Sequence, residues 1–521
     1  MNFLKSFIGT LLFLLLLTVQ LTAQKNTALP RSLPETEGVS SNGITDFLNA
    51  ANKSKTEFHS FMLIRHGKVI AEGWWNPYRR DLKHTLYSCS KSFTATAVGF
   101  AVTEKLLSVE DKVISFFPDE LPATVDNYLA GLTIKDALSM SDGQDPDPTY
   151  KIGIDSNWIK AFLATPVLNE PGTKFLYNSL GTYMLSAIVQ KVTGQKVVEY
   201  LKPRLFDPLG ITGMDWETDT KGINTGGWGL RLRTEDMAKF AQLFLQKGKW
   251  NGKQILPAAW VEEASKIKII QHPDLPQAKR DSSDWEQGYC YQMWRCKNNA
   301  YRGDGAFGQY MIVMPEQDAV LAVTAETPDM QEEINLVWQY LLPAMHKEKL
   351  PADKEAATVL KEKIKTLSLP LPPKNNTAMA YAVMEKTYTI TANDKHLQKI
   401  SFSFKNDVCH VALKTDTATY QLGFDYGKWL QDATNKPGPS LTGGGIEFRN
   451  MLYPAKVAGS YTWKDDNTLK LILRYVESPH TETFTCHFDG MNLALDIENS
   501  FDFGSKKTEL KGVASETSKG D

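Results

Sequence analysis

The sequence predicts two folded units, a mixed α/β (α+β) domain followed by a separate all-β domain. Three observations point there. The 521 residues exceed what one ordinary hydrophobic core organises. Between about residues 41 and 345, segments of helical pattern stand between two pairs of apolar, strand-like runs, 60–64 with 69–75 and 310–314 with 319–324. Beyond Lys347 the character changes: a charged helical stretch, 352–365, leads into the Pro-rich run 369–374, and from about 378 apolar and polar residues alternate as in half-buried strands. The expected division is 25–346 for the first domain, 347–377 for a helical and Pro-rich linker, and 378–521 for the all-β domain.

Residues 1–24 stand apart. Lys5 lies in a short basic start, 7–17 is an apolar core, and small or polar residues follow at 22–24, the pattern of a secretory signal peptide. The apolar run is shorter than the ~20 residues of a membrane span. No later segment is long and apolar enough, so no membrane span is expected, and the mature chain is expected to be periplasmic or secreted. A formal charge of −2 gives no reason to expect nucleic acid as a partner.

The elements follow in order. A helix is expected over 41–51, with Ser40 or Ser41 as its cap. The strands 60–64 and 69–75 form a hairpin around Arg65-His66-Gly67-Lys68, with His66 a turn residue. After Lys91 a nearly uncharged run to Val102 suits a buried helix, and helices follow over 133–140, 184–192 and 234–246, the last capped by Thr234. The glycine-rich loop 225–230 lacks the spacing and lysine of a phosphate loop, and reads as backbone lying close to a cleft. The strand pair 310–314 and 319–324 and a helix over 332–345 close the domain.

Five cysteines, an odd number, leave at least one unpaired. Cys290 and Cys296 lie in one strand-like run, which holds them ~20 Å apart, too far to bond. Cys409 and Cys486, each followed by a histidine, could pair across a sheet. Neighbouring residues on a strand face opposite ways, so these dipeptides make poor metal ligands and read as core cysteines. No metal or cofactor is expected.

Chemistry concentrates at Ser88 and Lys91. Three residues apart at a helix start, the two side chains lie one turn above the other, so the hydroxyl meets an amine able to take its proton. Spacing alone is weak, because Ser265 and Lys268 share it in a charged stretch. Context separates them: no charge follows Lys91 until Glu104, and a lysine on a buried helix must lose its proton, find a partner or do chemistry. A Ser-His-Asp hydrolase is the chemical rival, but the sequence has no Gly-x-Ser-x-Gly elbow, and His84 reads as a loop residue.

Two further segments complete the pattern: Pro171-Gly-Thr-Lys-Phe-Leu-Tyr177-Asn178-Ser179, and Gly305-Ala306-Phe307-Gly308-Gln309 ahead of a Pro-Glu-Gln-Asp turn. With Ser88-Cys-Ser-Lys91, and in this order, they resemble the serine β-lactamase and penicillin-binding-protein superfamily. The similarity is to its class C β-lactamase-like branch of esterases, D-peptidases and aminohexanoate-dimer hydrolases, over about residues 30–345. The resemblance implies a β-lactamase/transpeptidase-like domain: an antiparallel sheet flanked by helices, with a helical subdomain. It also implies that Ser88 is acylated, that Lys91 is its proton partner, that Tyr177 is a second basic group, and that the backbone amides of Ser88 and Ala306, beside Gly305, hold the oxyanion. Whether Lys91 or Tyr177 removes the proton stays open. Two positions depart from the pattern. Ser179 stands where the family's Tyr-x-Asn has an amide, and the Lys-Thr-Gly or His-x-Gly strand motif is missing, with Arg302 read either as the replacement positive charge or as a surface arginine.

The expected function is a secreted serine hydrolase cleaving an amide or ester bond of a small-molecule or peptide substrate through a Ser88 acyl-enzyme. The departures favour peptidase, amidase or esterase activity over efficient β-lactam hydrolysis. The alternative is a weakly catalytic binding or sensor protein whose β-domain contacts a polysaccharide or protein.

Overall fold

The computed structural model describes residues 28–151, 156–375, 386–441 and 454–514; the stretch read as a signal peptide lies outside them. The first domain is built on a six-stranded antiparallel sheet. Its strands are β1 (Glu57–Arg65), β2 (Lys68–Trp74), β3 (Trp294–Arg295), β4 (Tyr301–Gly305), β5 (Gln309–Met314) and β6 (Ala319–Glu326), in the order β2-β1-β6-β5-β4-β3. Strand β1 reads as a continuous apolar run because both its faces are covered. Phe61 and Leu63 pack with Ile44, Phe47 and Leu48 of α1 (Ser41–Ala51). Met62 and Ile64 point the other way, into the core shared with α2 (Ser90–Thr103), α3 (Ser179–Thr193) and α4 (Thr234–Leu245). Short helices between residues 127 and 201 form the helical subdomain behind α2.

Several expectations hold to the residue, such as α1 with Ser40 accepting from the Gly43 amide as its cap, and His66 in the hairpin turn at φ 49°. Others shift. Helix α3 begins at Ser179, five positions before 184, because the Asn178 side chain accepts from the Gly181 amide and starts the helix there. Thr234 is the first residue of α4 rather than its cap, and its hydroxyl is taken by Ser60 at 2.7 Å. The run holding Cys290 and Cys296 is not one extended strand. It turns at Gln292, φ 57°, whose side-chain amide is anchored on the carbonyls of Ala137 and Leu138. All five cysteines are free and buried. The helix expected over 332–345 runs over Met330–Leu336 and then widens to a π-helical turn, Val337–Leu341. Helix α5 (Lys354–Lys365) follows, and Leu360 with Leu367 and Leu369 joins the core around α1.

The second domain is a closed all-β barrel. Its described strands are β7 (Thr387–Ile390), β8 (Leu397–Lys405), β9 (Val408–Thr415), β10 (Thr419–Tyr426), β11 (Leu430–Thr434), β12 (Ala455–Asp465), β13 (Thr468–Tyr475), β14 (Thr481–Asp489), β15 (Asn492–Asn499) and β16 (Thr508–Ala514). Neighbours pair antiparallel in the order β10-β9-β8-β7-β16-β15-β14-β13-β12-β11. A parallel β10–β12 contact, Asp425 opposite Ser460, closes the ring. Alternate residues such as Ile400, Phe402, Leu469 and Leu471 fill its interior, with Cys409 and Cys486 among them.

The barrel is fixed to the first domain by polar contacts, among them partly buried ones. Arg474 donates to Glu57 Oε2 at 3.0 Å, the Thr85 amide donates to the Glu477 carbonyl at 3.0 Å, and the Tyr78 hydroxyl donates to the Ser478 carbonyl at 3.0 Å.

Candidate active site

Ser88 sits in a single 3₁₀ turn, Tyr87–Cys89, at the head of α2. The turn is held from both sides: the Leu86 amide donates to the Leu230 carbonyl at 3.0 Å, and Ser90 Oγ donates to the Tyr87 carbonyl at 2.6 Å while accepting from the Leu230 amide at 3.1 Å. Tyr87 has φ 46°, a left-handed conformation that costs a non-glycine residue about 1 kcal/mol or more. That cost is borne directly beside the serine, where these bonds over-determine the backbone.

Lys91, one turn on, is 1% exposed. Its Nζ lies 3.0 Å from Ser88 Oγ, 3.0 Å from Ser179 Oγ and 2.8 Å from the Gly227 carbonyl. Burial pushes its pKa down to about 7, against the pull of Asp147 and Asp304. A neutral amine has two N–H donors and one lone pair. Ser179 Oγ and the Gly227 carbonyl can use the donors, which leaves the lone pair for the Ser88 hydroxyl. The glycine-rich loop thus serves the site through a carbonyl, and Ser179 meets the lysine directly.

The ring of Tyr177 lies 4.8 Å from Lys91 Nζ and is stacked on Trp294 at 5.7 Å. Ser88, Tyr177, Ser179, Gly227 and Ala306 line one cavity of about 230 Å³. Gly305 is required where it is: a Cβ there would meet the Leu86 carbonyl oxygen at 2.1 Å, so only glycine lets β4 run this close to the serine turn. The turn after Ala306 is locked by Gln309, whose amide donates to the Ala306 and Ala325 carbonyls at 3.0 and 2.8 Å.

Arg302 does not reach this cavity, contrary to the expectation that it supplies a positive charge there. It is fully buried, donates to the Asp284 carbonyl at 2.8 Å, lies 4.4 Å from the Trp285 ring centre, and pairs with Asp304 at 2.9 Å. Among the described residues the charged group that lines the cavity is the Asp304 carboxyl, whose pKa burial raises and Arg302 opposes. The rejected pair stays apart from chemistry: Ser265 bonds to the Val261 carbonyl and Lys268 pairs with Glu263. Among the described residues no cluster of three or more metal-ligating side chains occurs, and no helix is long and apolar enough to cross a membrane.

The far wall of the cavity comes partly from the barrel. Leu441, beyond β11, lines it together with Tyr87 and Trp228. The Tyr87 hydroxyl is hydrogen-bonded to His480 Nε2, and His480 Nδ1 lies 2.6 Å from Glu326 Oε1, which also accepts from Ser500 Oγ at 2.8 Å. His480 is wholly buried, and its ring meets that of Phe307 edge-on at 5.0 Å. It therefore touches the residue before Ser88 and the residue after Ala306. Nothing local in the sequence marks His480, which is separated from Tyr87 by 393 positions.

Comparison with known proteins places the fold among known families. A family model described as Beta-lactamase matches residues 56–342. A 6-aminohexanoate-dimer hydrolase of Paenarthrobacter ureafaciens is 26% identical over 293 residues, 52% of this chain and 73% of the relative. A D-aminopeptidase of Brucella anthropi is 27% identical over 171 residues, 30% of this chain but only 32% of the relative, so the match spans about a third of that enzyme. A solved structure from Bacillus anthracis, provisionally described as a 6-aminohexanoate-dimer hydrolase, superposes with a TM-score of 0.50 at 22% identity. It covers 62% of this chain and 89% of its own length, a likeness of fold.

Proposed function

Taking as premise that the chain belongs to the β-lactamase family, we propose that it is an exported serine hydrolase that cleaves an amide or ester bond through an acyl-enzyme on Ser88. The observation that carries this reading is the buried Lys91 amine, with a pKa near 7 and Ser88 Oγ at 3.0 Å. At neutral pH a large fraction of this lysine is the free base. It accepts the Ser88 proton as Oγ attacks the substrate carbonyl. The resulting ammonium keeps Ser179 Oγ and the Gly227 carbonyl as acceptors, with the face of Tyr177 beside it.

The negative oxygen formed in this step falls to the backbone amides of Ser88 and Ala306, which border the same cavity. The lysine then returns its proton to the leaving amine or alkoxide, with Tyr177 alongside, and water releases the acyl group. Among the described residues the charged side chain that lines the pocket is Asp304, itself paired with Arg302, and no lining cation would pair with a substrate carboxylate. That disfavours β-lactams and supports a peptidase, amidase or esterase whose substrate is neutral or cationic near the scissile bond. Export is supported by the basic and apolar pattern of residues 1–24.

The test is intact-mass analysis after treatment with a fluorophosphonate and, separately, with a labelled penicillin. A single adduct on the wild type that is absent from Ser88→Ala supports the reading. Equal labelling of the two, or none of either, removes it.

A further inference from the structure

A second cavity, of about 510 Å³, lies against the first, between the catalytic domain and the barrel. Its barrel wall comes from one end only: the starts of β8, β10, β12 and β14 and the ends of β9, β13 and β15, which in an antiparallel barrel form a single mouth. Its opposite wall includes Tyr87 and Trp228, and both of these residues also line the cavity of Ser88. Successive residues, Ser440 and Leu441, face one cavity each. The mouth is held in this position by the Tyr87–His480–Glu326 chain and the Thr85–Glu477 backbone bond.

The mouth combines apolar walls with charged residues around them. Leu397, Leu413, Tyr420, Phe484 and Ile497 form its walls. The charges around them are matched inside the protein: Lys436 with Glu482 at 2.5 Å, Lys456 with Glu477 at 3.2 Å, and Arg231 with Asp215 at 2.7 Å. Glu217 accepts from the Trp228 indole at 2.8 Å, and Lys395 stands exposed at the edge. Away from Lys395 at the edge, a charged occupant would have to compete with these pairs, whereas an apolar one only displaces water. The volume falls within the ~300–1,000 Å³ of small-molecule sites.

We propose that the barrel mouth is the distal subsite of the catalytic cavity, and that it takes an uncharged apolar chain of the substrate cleaved at Ser88. The inference rests on the reading of Ser88 as the acylated nucleophile. It assigns the barrel a part in substrate choice: the catalytic domain recognises the scissile bond and the barrel recognises the apolar chain attached to it. Each methylene buried there is worth roughly fourfold in apparent affinity.

The test uses the full chain and measures the second-order rate of Ser88 labelling by fluorophosphonates carrying a methyl or a decyl chain. One series places the chain on phosphorus and another on the ester oxygen, so that both sides of the reacting centre are sampled. In at least one series the decyl reagent is expected to react at least tenfold faster. Ile497→Trp narrows the mouth and should bring the decyl and methyl rates within about twofold of each other. Tyr420→Trp, on another wall, repeats the measurement should the first variant not fold. Flat rates in both series mean that the mouth is filled by something other than substrate and overturn the inference; so does a decyl advantage that survives both substitutions. In either case Ser88 is still labelled, which leaves the hydrolase reading intact. Absence of labelling by every reagent removes that reading first and this inference with it.

Discussion

The two walls of the active-site cavity are built on different terms. On one, Ser88, Lys91, Ser179 and Gly227 belong to a single domain and hold one another through three bonds to one nitrogen. On the other, Tyr87 and Leu441 are neighbours only because a barrel is docked there, and its His480 ties Tyr87 to Glu326 across the domain boundary. In the proposed reaction the first wall carries the reagents of bond cleavage. The second sets the shape of what reaches them. Chemistry is therefore expected to be sensitive to substitutions on the first wall whatever the substrate, and on the second wall mainly through position and choice of substrate.

The largest expected effect tests the first wall. Ser88→Ala should lower turnover of an ester or amide substrate by about 10³-fold or more, with the thermal midpoint little changed because the side chain is partly exposed. Lys91→Met comes next. It retains most of the volume on the buried face of α2 but removes the base, and the expected loss in kcat is about 10²–10⁴-fold. It should also abolish the acid limb of the pH profile. In the wild type that limb falls as Lys91 is protonated on going below a pH of about 7, so activity rises with pH through neutrality.

A smaller effect tests the second wall. His480→Phe keeps a ring in contact with Phe307 but breaks the bond to Tyr87, and about a tenfold loss in kcat is expected from displacement of the serine turn. His480→Gln, which can still accept from the phenol, should recover part of it, and neither variant should move the pH limb. An unchanged kcat in His480→Phe would make the barrel a bystander to chemistry. Arg474→Met leaves Glu57 without its cationic partner at the domain contact. It should destabilise the protein by about 2 kcal/mol in denaturant titration, below the ~3–5 kcal/mol of a fully buried pair because Glu57 is 30% exposed. Little change in kcat is expected.

The same contrast explains what could be read from the sequence. Ser88 and Lys91 are three residues apart, so helical geometry alone brings them together, and the uncharged run after Lys91 announces burial. Tyr177, Ser179 and Gly305 to Gln309 were reachable through family resemblance, because each lies in a short motif whose order is retained. The all-β character of the second domain was legible from period-2 alternation, though not its closure into a barrel, and α1 was legible from its cap. Arg302 is neither the site's positive charge nor a surface arginine, the two positions its sequence suggests, because tertiary contacts with Asp284, Trp285 and Asp304 draw it into the core. His480 and Leu441 carry no local signal, since their proximity to Ser88 arises from domain docking. The helix start at Asn178 and the turn at Gln292 were likewise settled by side chains whose partners are local in space but ambiguous or distant in sequence.

The central claim is acylation of Ser88 by way of a neutral Lys91, and the pH dependence of covalent labelling reads it without knowledge of the natural substrate. Labelling of the wild type by one fluorophosphonate is followed by intact mass from pH 5 to pH 9. A rate that rises with a midpoint near 7, is absent from Ser88→Ala, and becomes slow and independent of pH in Lys91→Met is the predicted result. Labelling of Ser88 that proceeds equally fast in Lys91→Met and does not vary with pH would contradict it.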